Sequence, residues 1–555
     1  PDQPFGEFLY DIWENANKNI WFFGDTGEEV PMGTIRDFSI LKQMTSLKHL
    51  IILNQPVSQM PDLSGMTQLE SFEIYNCDIS DLSFLKGSNI RRLALRGIPA
   101  TDLSPISSLN NLLGFDLMAF EGNSINFSSP SLEEYCVCNS LHLRDISSIS
   151  SSKNLKSFYI NANEVLTDIS GLKDLDKLEE IYLGAGPVKD ASALANKPNI
   201  KSISISDNAI MDTEFLKNLG TDSLDFLHYY SWNDTQSPVD FSGLSSLKRI
   251  GHFSFSCNGW DYSIVGKYIN GIEIEEYDIG HTKNIDFSMM PAGVKRLGLT
   301  GYGSRNLVIP DDLTLDSLNI CDSKYLTNIN GIEKIQGLRN LSLVECIRLN
   351  DFDAIYNLPE DLEYASFTRG YVPDLRRIGF ADGCSIEILD PLTEYNDVAA
   401  VAELSSKSKE PVKSIDMLFL NGVADVRGLY ALSDADLKIK ELITDSLLTS
   451  VANEYAQTVN QNAGFEVAVI FRRASNSEME THNFKLVSYE EIPALPTVAL
   501  KGVSEIHIMG NLYEGSSCLE WADELDGDGH PRFIKVDGPI DMQQIAMLEN
   551  LECLE

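Results

Sequence analysis

Apolar residues recur along this chain in one fixed phrase. Leu69-x-x-Phe72-x-Ile74-x-x-Cys77-x-Ile79 is followed by Asp81-Leu82-Ser83-Phe84-Leu85. The phrase returns as Ile90-x-x-Leu93-x-Leu95-x-x-Ile98 with Asp102-Leu103-Ser104-Pro105-Ile106, and as Leu155-x-x-Phe158-x-Ile160-x-x-Asn163 with Asp168-Ile169-Ser170-Gly171-Leu172. Ile200-x-x-Ile203-x-Ile205-x-x-Asn208 and Leu338-x-x-Leu341-x-Leu343-x-x-Cys346 are further copies. Counted from the first apolar position, copies begin at 47, 69, 90, 112, 132, 155, 178, 200, 224, 247, 274, 294, 315, 338 and 362. Such a period predicts stacked units, none of which can bury its apolar edge alone.

Each position has a physical reading. The last two apolar residues of the L-x-x-L-x-L core alternate at period two, so each copy predicts a short strand with those side chains inward. The third, fifth and seventh positions then face outward. The ninth turns the chain away, and an Asn there can bond the turn's backbone. Cys77 and Cys346 fill that slot and read as structural. In the Asp-Leu-Ser phrase, Asp or Ser can accept backbone N–H bonds at the start of a short helical turn. Its apolar residues point into the core.

The ends are less regular. Phe5, Phe8, Leu9, Ile12 and Trp13 form the stripe of an amphipathic helix, read as a cap over residues 1–46 together with a divergent first repeat at Ile20-x-Phe22. Repeats fill 47–429, irregular after 370, with a clear copy at Ile415-x-x-Leu418-x-Leu420. Ser433 to Gln461 reads as a helix and Phe465 to Phe471 and Phe484 to Val487 as strands, so 430–500 is expected to be a small α+β insertion. Repeats resume over 501–555 at Val503-x-x-Ile506-x-Ile508 and Ile534-x-Val536. Leu551-x-x-Leu554 opens a copy that is not completed, so the natural chain is expected to continue past Glu555. No initiator Met precedes Pro1, which points to a cleaved chain or a piece of a longer one.

The phrase is the leucine-rich repeat pattern, and its period near 22 with Asp-[Leu/Ile/Phe]-Ser-x-[Leu/Ile] resembles bacterial repeat proteins of the internalin-like type. The likeness covers about residues 20–429 and part of 501–555. It implies an α/β repeat solenoid, an arc with a parallel concave β-sheet and short 3₁₀ turns on the convex side. It also implies binding of a protein or peptide on the concave face, at a bacterial surface or outside the cell, with the cytoplasm as the alternative. Repeat lengths here are irregular, Asn at the ninth position is a minority, and no wall anchor or immunoglobulin-like cap stands out.

Charge narrows the partners. Among 555 residues, 43 Lys and Arg stand against 82 Asp and Glu, a net −39. Such a surface repels phosphate, so nucleic acid and anionic lipid are not expected partners, and a cationic one is. No apolar run reaches membrane-spanning length. Nine cysteines are too sparse for a disulfide framework.

Chemical motifs are scarce. There is no phosphate loop, dinucleotide fingerprint, H-E-x-x-H or nucleophile elbow. The eight histidines show no pair at metal-ligand spacing. The acidic stretch Asp523 to Gly529 fails as a calcium loop because Pro531 stands where glycine is needed. Cys136-x-Cys138 reads as two small solvent-facing residues, with soft-metal or oxidant chemistry as the alternative. No catalytic residues, metal or cofactor are expected.

Outward positions instead offer a recognition surface: Tyr75, Tyr159, Tyr182, Phe226, His228, Tyr230 and Tyr364, with Glu73, Asp116, Glu134, Glu180, Glu276 and Asp278, and Arg92, Arg96, Arg249 and Arg296. Aromatics not needed in a core serve as binding anchors. The expected partner-binding residues are Tyr159, Tyr182, Glu180, Phe226, His228 and Tyr230, beside a depression floored by Ser202, Ser204 and Ser206. The function expected is a non-enzymatic interaction solenoid. The alternatives are a sensor or scaffold arm of a larger enzyme such as a kinase or NTPase, chemistry in the 430–500 segment, and a structural spacer.

Overall fold

Leu93 and Leu95 settle the phase of the repeat. In the computed structural model both are buried, 2 % and 0 % exposed, while Arg92 is exposed. The structure describes residues 36–392 apart from 211, 232–238 and 258–260, then 400–401, 403–404, 411–421 and 437–444, and short strands between 468 and 554. The expected N-terminal helix, Trp232 and the Asp523 to Gly529 stretch lie outside the described residues.

The chain packs as two units, Pro1–Leu175 with Asn483–Glu555, and Asp176–His482. In the first, β1 (His49–Leu53), β2 (Ser71–Tyr75), β3 (Arg92–Arg96), β4 (Gly114–Met118), β5 (Glu134–Cys138) and β6 (Ser157–Asn161) pair in parallel with their neighbours in sequence. This unit also pairs Glu505–Met509 in parallel with Phe533–Asp537, Ile506 opposite Ile534 and Ile508 opposite Val536.

The second unit repeats the plan. It contains β7 (Glu180–Leu183), β8 (Ser202–Ser206), β9 (Ser223–Ser231), β10 (Arg249–Cys257), β11 (Glu273–Gly280) and β12 (Arg296–Thr300). β13 (Ser317–Cys321), β14 (Asn340–Val344), β15 (Leu362–Thr368), β16 (Phe380–Leu389), β17 (Ser414–Asn421) and β18 (Lys438–Thr444) follow. All pair in parallel, each with the next. This is a leucine-rich repeat ladder.

The return path is built as the Asp-Leu-Ser phrase requires. Backbone N–H groups of Ser83, Ser147 and Ser170 donate to Asp81, Asp145 and Asp168 over 2.8, 2.8 and 2.7 Å, opening 3₁₀ turns at Ser83–Leu85, Ser147–Ser151 and Ser170–Leu172. The bond from Ser83 holds the Asp81 carboxyl below its ordinary value. At the ninth position the Asn163 amide donates to the Val137 carbonyl over 2.9 Å and the Asn208 amide to Gly184 over 2.8 Å. Cys77 is buried in the same slot, and burial pushes its thiol up to about 11, as expected of a structural cysteine. The sharp bend falls one residue earlier. Asn54, Asn76, Asn139, Asp207 and Asp322 all take left-handed backbone there, with φ between 46° and 50°. Asn and Asp tolerate that region better than other non-glycine residues.

Three expectations need correction. Lys438–Thr444 is a strand, not part of a helix, with Ile439 beside Ile415 and Leu442 beside Leu418. An i, i+3 apolar spacing fits a helix face and the L-x-x-L of a repeat alike, and the paired edge of β17 selects the strand. The copy phased on Leu247 begins at Ile250, because Ile250, Phe253 and Phe255 are the inward residues of β10 while Leu247 is buried behind the 3₁₀ turn Ser242–Ser246. Cys136 and Cys138 do not face solvent. They are 5 % and 7 % exposed, their sulfurs 3.8 Å apart.

Candidate functional site

The second unit's outer face is a grid fixed by strand register. Parallel pairing sets Ser202, Phe226, His252, Glu276 and Arg296 in one row across β8 to β12. Ser204, His228, Ser254, Asp278 and Gly298 form the next row, and Ser206, Tyr230, Ser256, Gly280 and Thr300 the third. Glu180 pairs with Ser202 and Tyr182 with Ser204, which extends the first two rows to β7. Residues two apart on a strand share a face, so each column is as ordered as each row.

Along β9 the three outward rings lie in sequence. Phe226 and His228 are stacked 6.2 Å apart and His228 and Tyr230 6.3 Å apart, their planes within 2° and 12° of parallel. All three are half-buried. The inward residues of the same strand, Leu227 and Tyr229, are buried; Tyr229 packs edge-on against Phe241, and Phe241 against Phe255. Phe253 and Tyr277 stack beneath β10 and β11 with centroids 5.4 Å apart. An aromatic core thus backs an aromatic outer strand.

β8 carries only serines outward. Ser204 is 8 % exposed although its side chain points away from the core, since Tyr182 and His228 stand on either side of it. The feature is a small-residue floor between Tyr182 and the β9 rings, with Glu180 exposed at its margin. Tyr159 stands on β6 of the first unit and is half-buried there.

A start at Leu247 turns His252 inward, whereas in the structure it stands on the outer face in register with Phe226 and Glu276. Its ring meets Phe226 edge-on at 5.1 Å, and its Nε2 lies 2.7 Å from Asp278 Oδ2. Arg296 donates to Glu276 Oε2 from Nε at 3.1 Å and Nη2 at 2.7 Å. Arg249, placed on this face by that same phasing, instead reaches Asp225 at 3.7 Å.

His228 is electrostatically distinctive. Burial first, and the facing His252 second, push its imidazole down from 6.5 to about 4, against the opposing pull of Asp278. The unfolded chain therefore binds a proton more readily than the folded one between these values. Stability from this group is full above pH 6.5 and is lost as pH falls toward 4, on the order of 3 kcal/mol in all. The His228 Cε1–H resonance is expected to titrate near pH 4, and the acid loss to flatten in His228→Phe. A midpoint near 6.5 would show a solvated ring.

The first unit's outer face is a packed polar cluster. The Tyr75 hydroxyl donates to Glu73 over 2.7 Å, the Arg96 guanidinium lies 4.7 Å above the Tyr75 ring, and Arg96 forms an ion pair with Asp116. Cys136 is the register partner of Asp116. Its hydrogen bond with Cys138, then burial, raises its thiol well above the ordinary value, so Cys136 is a poor nucleophile. Among the described residues no helix is long and apolar enough to cross a membrane.

No family model matches the chain, and no curated protein does. Solved structures do. A leucine-rich repeat protein of Leptospira interrogans is 13 % identical with a TM-score of 0.34, covering 79 % of this chain and all of that one. An internalin C2 of Listeria monocytogenes is 22 % identical, TM-score 0.25, over 33 % of this chain and 78 % of the other. A structure of TLR13 in complex with ssRNA13 is 15 % identical, TM-score 0.37, over 77 % and 82 %. The assignment to leucine-rich repeats rests on the ladder and its turns.

Proposed function

We propose that this chain is a non-enzymatic binding module that takes a protein or peptide segment on the outer face of its second unit. The observation that carries this is the column of Phe226, His228 and Tyr230 along β9 beside the serine floor of β8. These rings are outside the core, yet the strand beneath them is anchored by Leu227 and Tyr229. Half-buried aromatics on rigid strands give contact area at little entropic cost. Glu180 at the margin, on a chain of net charge −39, favours a Lys or Arg side chain entering between Tyr182 and the β9 rings. The same charge disfavours nucleic acid as the partner.

The test is an array of Lys- and Arg-containing peptides probed with the full chain, followed by affinity measurement on the best binder. Tyr182→Ala with Tyr230→Ala should weaken it about thirtyfold or more, roughly 2 kcal/mol, with circular dichroism unchanged. Equal affinity in the folded double variant would place the binding face elsewhere.

A further inference from the structure

We propose that His252, Glu276 and Asp278 form a binding site for a divalent transition-metal ion such as Zn2+. One ligand atom from each side chain lies within 4.8 Å of the other two. The fold makes this triangle from two adjacent strands. Glu276 and Asp278 are two apart on β11 and so share its outer face, and His252 on β10 is the register partner of Glu276. A parallel ladder holds such strands about 4.8 Å apart. The ladder therefore fixes the three Cα positions on one face, and small side-chain rotations bring the ligand atoms to an ion.

Two further features shape the site for a ligand. Glu276 accepts both Arg296 bonds on one oxygen, Oε2, which orients the carboxylate. Partners of this kind fix ligand geometry in known metal sites. Next to Asp278 on β12 stands Gly298, where an added Cβ would sit 1.9 Å from Asp278 Oδ1. Glycine is otherwise disfavoured within a strand, and here it opens the space the Asp278 carboxylate occupies. The 2.7 Å approach of His252 to Asp278 is now bridged by a hydrogen, and the ion would take that place.

The donor set selects the metal class. One imidazole nitrogen with two carboxylates suits Zn2+ and its first-row neighbours, whereas Ca2+ and Mg2+ prefer oxygen alone. Three protein ligands leave a further position open on the outer face, where a partner's side chain or water could complete the coordination.

Isothermal titration of ZnCl2 into the untagged, metal-free full chain tests this, with CaCl2 as comparison and circular dichroism as the fold check. The expected result is one tight Zn2+ equivalent, weakened at least thirtyfold by His252→Ala and by Asp278→Asn, and unchanged by His142→Ala at a remote exposed histidine. Gly298→Ala, which displaces Asp278 but removes no ligand, should also weaken binding. Absence of a stoichiometric Zn2+ site, or a site of equal affinity in folded His252→Ala, would overturn the proposal. Neither outcome depends on whether the peptide reading of the neighbouring rings holds.

Discussion

Leu341→Asp is expected to unfold the repeats around β14 while leaving the first unit protected. Leu341 is fully buried and faces Leu318 of β13 and Ala365 of β15 across the ladder. A carboxylate there has no partner, and the cost is on the order of 5 kcal/mol. Leu341→Ala should cost less, about 2–5 kcal/mol, through the cavity alone. Stability in a repeat array is a sum of unit and nearest-neighbour terms, so damage spreads outward from the altered repeat. Hydrogen exchange should rise first in β13, β14 and β15 and least in β1 to β5. A uniform loss of protection in every strand would mean that the array unfolds as one cooperative body.

That experiment depends on a register legible in the sequence. Leu93-x-Leu95 and Asp81-Leu82-Ser83 specify, residue by residue, what faces inward and where the return turn begins, because period-two burial and the Asp-to-backbone bond are local rules. Phasing failed where two local rules overlapped. Leu247 and Ile250 both satisfy the first position, but a start at Leu247 puts His252 in the sixth, apolar position, whereas a start at Ile250 gives Phe253 and Phe255, and the pairing of β10 with β9 and β11 follows the second. The segment at Lys438 failed likewise, its i, i+3 spacing being common to both structures. Cys136 and Cys138 illustrate a different limit. Their direction was read correctly, but burial on an outer face is decided by the neighbouring strands, and Asp116 and Tyr159 flank Cys136 in register. The approach of His252 to Glu276 and Asp278 was illegible for the same reason. These residues are 24 and 26 positions apart, and only strand pairing across irregular repeats makes them neighbours.

Removing the Asp116 carboxylate is expected to destabilise the first unit as much as a large core deletion. The Arg96 side chain is 8 % exposed and that of Asp116 14 %, so their ion pair is shielded from water. The guanidinium is covered on one side by the Tyr75 ring, and its Nε has no hydrogen-bond partner. Asp116→Ala leaves that charge buried without its counterion, a change that costs about 3–5 kcal/mol. Arg96→Met should cost less, since it retains the contact with Tyr75 and leaves the less buried member of the pair, 14 % exposed against 8 %. The combination Arg96→Met with Asp116→Leu should recover most of the loss, because an apolar pair of similar volume has no desolvation penalty to offset. Hydrogen-exchange protection in β2 to β5 gives the free energies of the parent and of these three variants. A loss below about 1 kcal/mol in Asp116→Ala would mean that Arg96 reaches water once freed, making the outer face of this unit open and adaptable instead of packed.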